Sequence, residues 1–133
     1  MRKYQLASGK ILEFNLASIE QAIELFRAVL NECKHAGLDL NFSAETQIVD
    51  VIRENQEAIL NIFSSENVLE AVKGCCDKVL YNKNHFSLSL FETEEARADF
   101  IGVMFIVGVE NLTPFFPQVR LFFDPIQSLF LRT

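Results

Sequence analysis

The apolar pattern is densest in the stretch FETEEARADFIGVMFIVGVENLTPFFP, residues 91–117. Within it, residues 101–109 leave no face polar enough for water, and a helix that is apolar all round must be surrounded. Upstream, Glu92-Thr93-Glu94-Glu95 reads as an acidic helix start, with Thr93 as N-cap and two carboxylates in the first turn, where the helix dipole favours negative charge. Downstream, Pro114 cannot continue a helix, and Phe115-Phe116-Pro117 follows. The pattern predicts a central helix over about residues 94–111 with an apolar C-terminal handle.

The remaining chain supplies the surround. Tyr4-Gln5-Leu6 and Ile11-Leu12-Glu13-Phe14 flank Ser8-Gly9, the pattern of a β-hairpin. Ser18 and Gln21 have capping-box spacing, and Ile19, Ile23, Phe26, Val29, Leu30 and Cys33 then recur at helical intervals until Gly37. A second helix is expected after Ser43, with Ile48, Val51, Ile52, Ile59, Ile62 and Phe63 on one stripe that also holds Asn55. Ser64-Ser65 offers an N-cap for a third, with Val68, Ala71, Val72, Cys75 and Val79 inward. Residues 81–85 read as polar loop, and the alternation Phe86-Ser87-Leu88-Ser89-Leu90 as a short strand. A last short helix is expected over residues 115–123, ended by Asp124-Pro125, followed by a tail whose Leu129, Phe130 and Leu131 call for docking. The fold class is therefore mainly α (α+β): a hairpin and four to five helices around one apolar helix, in a single domain of residues 1–133.

Composition narrows the function. A net charge of −6 opposes nucleic-acid binding, which draws its affinity from Lys and Arg on phosphates. The longest apolar run, 101–109, is about half of the roughly 20 residues that cross a bilayer, and the N-terminal residues do not lead into a signal-peptide core, so a cytoplasmic protein is expected. Three cysteines, two of them adjacent, do not suit a disulfide framework. Thirteen phenylalanines with no tryptophan and two tyrosines favour packing and hydrophobic contact over a sugar or nucleotide pocket.

The motifs of enzymes are missing: the sequence has no phosphate loop, nucleophile elbow, paired-histidine metal motif or calcium loop. Cys33, Cys75 and Cys76 read as packed thiols and His85 as a solvated side chain, so no metal and no cofactor are expected. Glu94 and Glu95 are explained by the helix start, and Arg97 is expected to pair with one of them or to hold a neighbouring helix. The C-terminal clusters Phe115-Phe116, Leu121-Phe122-Phe123 and Leu129-Phe130-Leu131 come on top of a chain that already has enough core, and read either as closing that core from beneath the other helices or as exposed apolar surface, which usually marks a protein interface.

The run Phe91-Glu92-x-x-Glu95-Ala96-Arg97-x-Asp99-Phe100, continuing to Asn111-Leu112-x-Pro114-Phe115-Phe116, resembles the C-terminal half of small tail assembly chaperones of long-tailed, siphovirus-like bacteriophages or prophages. The opening Tyr4-x-Leu6-x-x-Gly9-Lys10, the amphipathic stretch from Leu16 to Leu30, and Phe63-Ser64-Ser65 before an acidic helix with Cys75-Cys76 are similar in layout. The specific pieces are Glu95, Arg97 and Asp99, then Asn111 and Pro114. The resemblance implies a cytoplasmic, mainly helical protein, absent from the finished virion, that binds the long hydrophobic tape measure protein and keeps it soluble until tail tube subunits polymerise around it. The family is often made in two forms, the longer by ribosomal frameshifting. The chain departs from the pattern at residues 84–90, which are longer and more strand-like. The expectation is a chaperone without catalysis, using Phe115, Phe116, Phe122 and Phe123 for tape measure binding or self-association. The rivals are a structural tail-completion or connector component of the virion, and a small regulator of a host protein.

Overall fold

The computed structural model describes residues 2–37, 56–115 and 120–132, except for the side chains of residues 56, 59, 60, 121–123 and 125. The first half of the expected second helix, with Ile48, Val51, Ile52 and Asn55, lies outside the described residues.

The chain opens with the hairpin. Strand β1 (Arg2–Gln5) pairs antiparallel with β2 (Ile11–Phe14), placing Tyr4 opposite Leu12. Gly9 takes φ +95°, a left-handed conformation that glycine adopts without strain, and the Leu6 N–H closes the turn on the Lys10 carbonyl at 2.9 Å. The sheet then grows where a loop was expected. Strand β3 (Leu80–Tyr81) pairs with β2, and β4 (Asn84–His85) folds back on β3, giving the order β1-β2-β3-β4. Asn82 and Lys83, both at positive φ, make this second turn possible, as two-residue hairpin loops with such angles match the strand twist. Conversely, residues 86–90 do not form the strand their alternation predicts. The Leu90 N–H bonds locally to the Ser87 carbonyl, and Leu88–Phe91 is a 3₁₀ turn with Leu88 in solvent and Phe91 buried.

Helix α1 (Ile19–His35) starts at Ser18, whose hydroxyl oxygen accepts the Gln21 N–H at 3.3 Å. The Gln21 amide oxygen accepts from that hydroxyl, so half of the capping box is formed. The helix stops at Gly37, φ +76°. Its inward side carries Ala22, Leu25 and Cys33, while Ile19, expected inside, is 65% exposed. Helices α2 (Gln56–Phe63) and α3 (Glu66–Gly74) follow, with the Ser65 hydroxyl capping the Val68 N–H. The latter helix is shorter than its apolar pattern, yet Val68, Val72, Cys75 and Val79 all point inward as the spacing requires.

Helix α4 (Glu94–Leu112) is the centre. Thr93 caps it by accepting the Ala96 N–H at 3.2 Å, and every residue from 102 to 112 is buried. Among the described residues, the surround includes the hairpin, α1, α2, α3 and a C-terminal helix, α5 (Arg120–Gln127). By length and composition Glu94–Phe115 could cross a membrane, but 72% of its apolar window is buried inside the fold, the arrangement of a core helix. Gly108 lets α3 and α2 close in, since a Cβ there would lie 3.3 Å from the Phe63 ring and 3.4 Å from Val72. Thr113–Phe115 forms a 3₁₀ turn where Pro114 ends α4.

Of the expected last helix over 115–123, residues 116–119 lie outside the described residues, and the end expected at Asp124-Pro125 is not found. Helix α5 begins at Arg120 and runs through Asp124-Pro125 to Gln127, then tightens into a 3₁₀ turn at Ser128–Phe130. Proline removes a single N–H from a helix only two turns long, and partly buried Ile126 and buried Gln127 hold the turn beyond it. The tail docks on the hairpin, with Leu131 opposite Leu6.

Candidate functional site

The end of α4 and the approach to α1 are held together by one side chain. Asn111 is buried; its Oδ1 accepts the Ala17 N–H at 3.0 Å and its Nδ2 donates to the Val107 carbonyl at 2.9 Å. This clamp sets Leu16 and Ile19 beside Pro114 and Phe115. Leu16 is 53% exposed and Phe115 37%, an apolar cluster left in water. A cleft of about 350 Å³ runs between Leu16, Ile19, Ala22, Pro114 and Phe115. It adjoins a second cleft, of about 400 Å³, through Leu16 and Pro114; Arg2, Asn15, Thr113 and Arg120 line its far side.

Phe115 divides its surface between core and solvent, its ring standing 5.0 Å from that of Phe26 on α1. Of the other aromatic residues expected to bind a partner, Phe122 and Phe123 lie on α5 with side chains outside the described set, and Phe116 is outside the described residues.

Glu110 sits at the floor of the second cleft. Its carboxylate is buried, accepts two hydrogen bonds from Arg120 at 3.1 and 2.9 Å, and accepts a third from Arg2. Burial pushes its pKa up, but hydrogen bonds from Arg120 and Tyr4 and the charges of Arg120 and Arg2 outweigh it and hold the group below the ordinary carboxylate value. One carboxylate thus ties β1, α4 and α5 together. A lone acidic residue after nine apolar ones was the sequence signal for this cluster, as a charge inside a buried helix needs a partner.

The remaining motif positions are structural. Asp99 is buried under the hairpin, where Ser8 donates at 2.5 Å and Tyr81 at 2.7 Å. Burial, then the bond to Asp99, raises the Tyr81 pKa. Glu95 is exposed. Arg97 reaches back to Glu92 at 3.1 Å and to the Phe91 carbonyl at 3.2 Å, rather than to Glu94 or Glu95, because helical side chains lean toward the N-terminus. All three cysteines are buried thiols; burial pushes Cys33 and Cys75 up to about 11 and Cys76 up to about 12. Among the described residues, no group of three His, Cys, Asp or Glu side chains could hold a metal ion.

Comparison with protein-family models, curated proteins and solved structures finds no match to this chain.

Proposed function

We propose that the chain is a non-catalytic tail assembly chaperone of a long-tailed phage or prophage, working in the bacterial cytoplasm without a cofactor. Its client is the tape measure protein, held soluble by reversible hydrophobic contact until tail tube subunits take over. The observation that carries this reading is the apolar cleft of Leu16, Ile19, Pro114 and Phe115, open to solvent on a chain of net charge −6. A holdase needs apolar surface for its client and like charge against its own aggregation; the cleft offers the first and the net charge of the chain the second. The sequence pieces Glu95-Ala96-Arg97-x-Asp99 and Asn111-Leu112-x-Pro114 add the resemblance. Asn111 and Pro114 shape the cleft, while Asp99 and Arg97 fix the start of the central helix.

The test is co-expression with the long reading frame downstream, followed by size-exclusion chromatography with light scattering. The long protein should be soluble only with this chain and co-elute with it. The double substitution Leu16→Ser and Ile19→Ser, at two exposed positions, should abolish that rescue while far-UV circular dichroism stays unchanged. A long protein that stays insoluble, with this chain recovered in purified particles, would give the role to a structural virion component instead.

A further inference from the structure

Residues 120–132 lie along α4 in the opposite direction, with Arg120 at Glu110 and Phe130 at Gly102. Both ends are tied by polar contacts. At one, Arg120 grips Glu110; at the other, the Ala7 N–H donates to the Phe130 carbonyl at 3.1 Å and the Arg132 N–H to the Gln5 carbonyl at 2.9 Å. Between them, Ile126 packs against the core, but two other described side chains do not match the seat. Gln127 is buried with its Oε1 unpartnered among the described residues, and Leu129 is 76% exposed. A gap of about 80 Å³ opens beside the Phe130 ring, among Leu69, Ile101 and Met104. The seat itself is specific: a Cβ on Gly102 would stand 2.8 Å from Phe130, so only glycine admits the aromatic there.

We propose that this seat on α4 is a second docking surface, covered at rest by residues 120–132, and that its occupant is an amphipathic helix of the client. The seat states the helix's chemistry. Displacing Arg120 leaves Glu110, a buried carboxylate, short of its main partner, so the occupant must bring a cation to that end. Gly102 must receive an aromatic. Eight residues of α4 separate the two points, about 12 Å of helical rise. The occupant therefore carries Lys or Arg eight to ten residues before Phe, Tyr or Trp, the upper figure being the spacing from Arg120 to Phe130. The client's identity rests on the chaperone reading; the chemistry of the seat does not.

The segment can be locked in the intact protein. Leu6 and Leu131 face each other in an antiparallel bridge flanked by the bonds from Ala7 and Arg132, a non-hydrogen-bonded pair whose Cα atoms are about 4.5 Å apart, within disulfide range. The probe is a fluorescein-labelled, alanine-rich helical peptide of roughly 18 residues, long enough to hold a helix, with Arg nine residues before Phe and a leucine stripe. By fluorescence anisotropy it should bind the reduced Leu6→Cys/Leu131→Cys protein at least about tenfold more tightly than the oxidised form. A peptide with Glu in place of that Arg should lose about tenfold. Arg120→Ala, which frees Glu110 and loosens the cover, should bind several-fold more tightly than the parent, and it tests the idea even where the double cysteine variant fails to fold.

Equal binding to the locked protein, no loss with the Glu peptide, no gain in Arg120→Ala, or no binding at all overturns the proposal. So does a disulfide between Leu6→Cys on one copy and Leu131→Cys on another in the absence of peptide binding, which would give the seat to a second copy. Peptide binding without solubilisation of the tape measure protein would retain the seat and remove the chaperone.

Discussion

Replacing Glu110 with glutamine keeps its shape and removes its charge. In the parent the carboxylate is 1% exposed and receives Arg120 twice and Arg2 once. Removing one member of a buried ion pair costs about 3–5 kcal/mol. Here the guanidinium groups remain partly in water, with side-chain exposures of 57% for Arg2 and 31% for Arg120, and water screens what they lose. The expected loss is therefore about 2–3 kcal/mol, or roughly 10 °C of melting temperature for a domain of this length. The chain has no tryptophan, so urea unfolding is followed by far-UV circular dichroism. The pH dependence adds an independent check. A carboxylate whose folded pKa lies below its unfolded value contributes stability above the unfolded pKa and loses it as pH falls through the folded one. The gap between parent and Glu110→Gln should thus be full at pH 6–7 and shrink below the ordinary value of 4.5. A gap under about 0.5 kcal/mol at neutral pH, or one that widens in acid, would refute the claim that this carboxylate anchors β1 and α5 to the core.

Gly102→Ala gains about 1 kcal/mol of helix propensity but drives a methyl to 2.8 Å from Phe130, so net destabilisation of about 1 kcal/mol and faster amide exchange at Ala7 and Arg132 are expected by hydrogen exchange. Tyr81→Phe removes one of two donors to buried Asp99 and should cost about 1–3 kcal/mol in urea unfolding, against near zero if Asp99 were solvated. The three thiols should ignore a disulfide reagent at pH 8 in the folded protein and all react in denaturant, because burial holds them protonated and out of reach. Asn111→Ala leaves the Ala17 N–H without its acceptor and should cost about 1–3 kcal/mol while loosening the Leu16 side of the cleft, read as faster exchange at Ala17.

The central helix was legible because its signals agree: a Thr cap, acidic first turn, unbroken apolar run and terminating proline each act within a few residues. The same holds for Ser18, Ser65, Gly9 and Gly37, where local backbone chemistry decides. The second hairpin was missed because Asn82-Lys83 is a weak turn signal beside Asn-Gly, and because β3 exists only where β2 offers it an edge. Residues 86–90 alternate like a strand, yet only the Phe86 N–H bonds across, to the Val79 carbonyl, before the chain turns into the local bond from Leu90 to Ser87. For the site, the sequence indicated Phe115 and the Asn111-Pro114 corner but not Leu16 or Ile19. The spacing of Ile19 says core and Leu16 precedes the helical stripe, and only the position of α1 against the end of α4 leaves them in water.

An apolar helix with no polar face cannot itself present a surface, since each side must be covered by some other part of the chain. Function is therefore displaced to where the cover ends or can be lifted. Beyond Thr113, past the C-terminal end of α4, the cover stops, and the neighbours that Asn111 fixes in place, Leu16, Ile19 and Phe115, form an open cleft. Along the face from Glu110 to Gly102 the cover is a separate segment held at its two ends, with the Gln127 Oε1 between them unpartnered among the described residues. The first surface is open in this structure and, in the proposed role, would suit weak, repeated contact with an extended hydrophobic client. The second becomes available only when a competing cation and aromatic ring take over from Arg120 and Phe130, which would make firm binding conditional on a client of the right pattern.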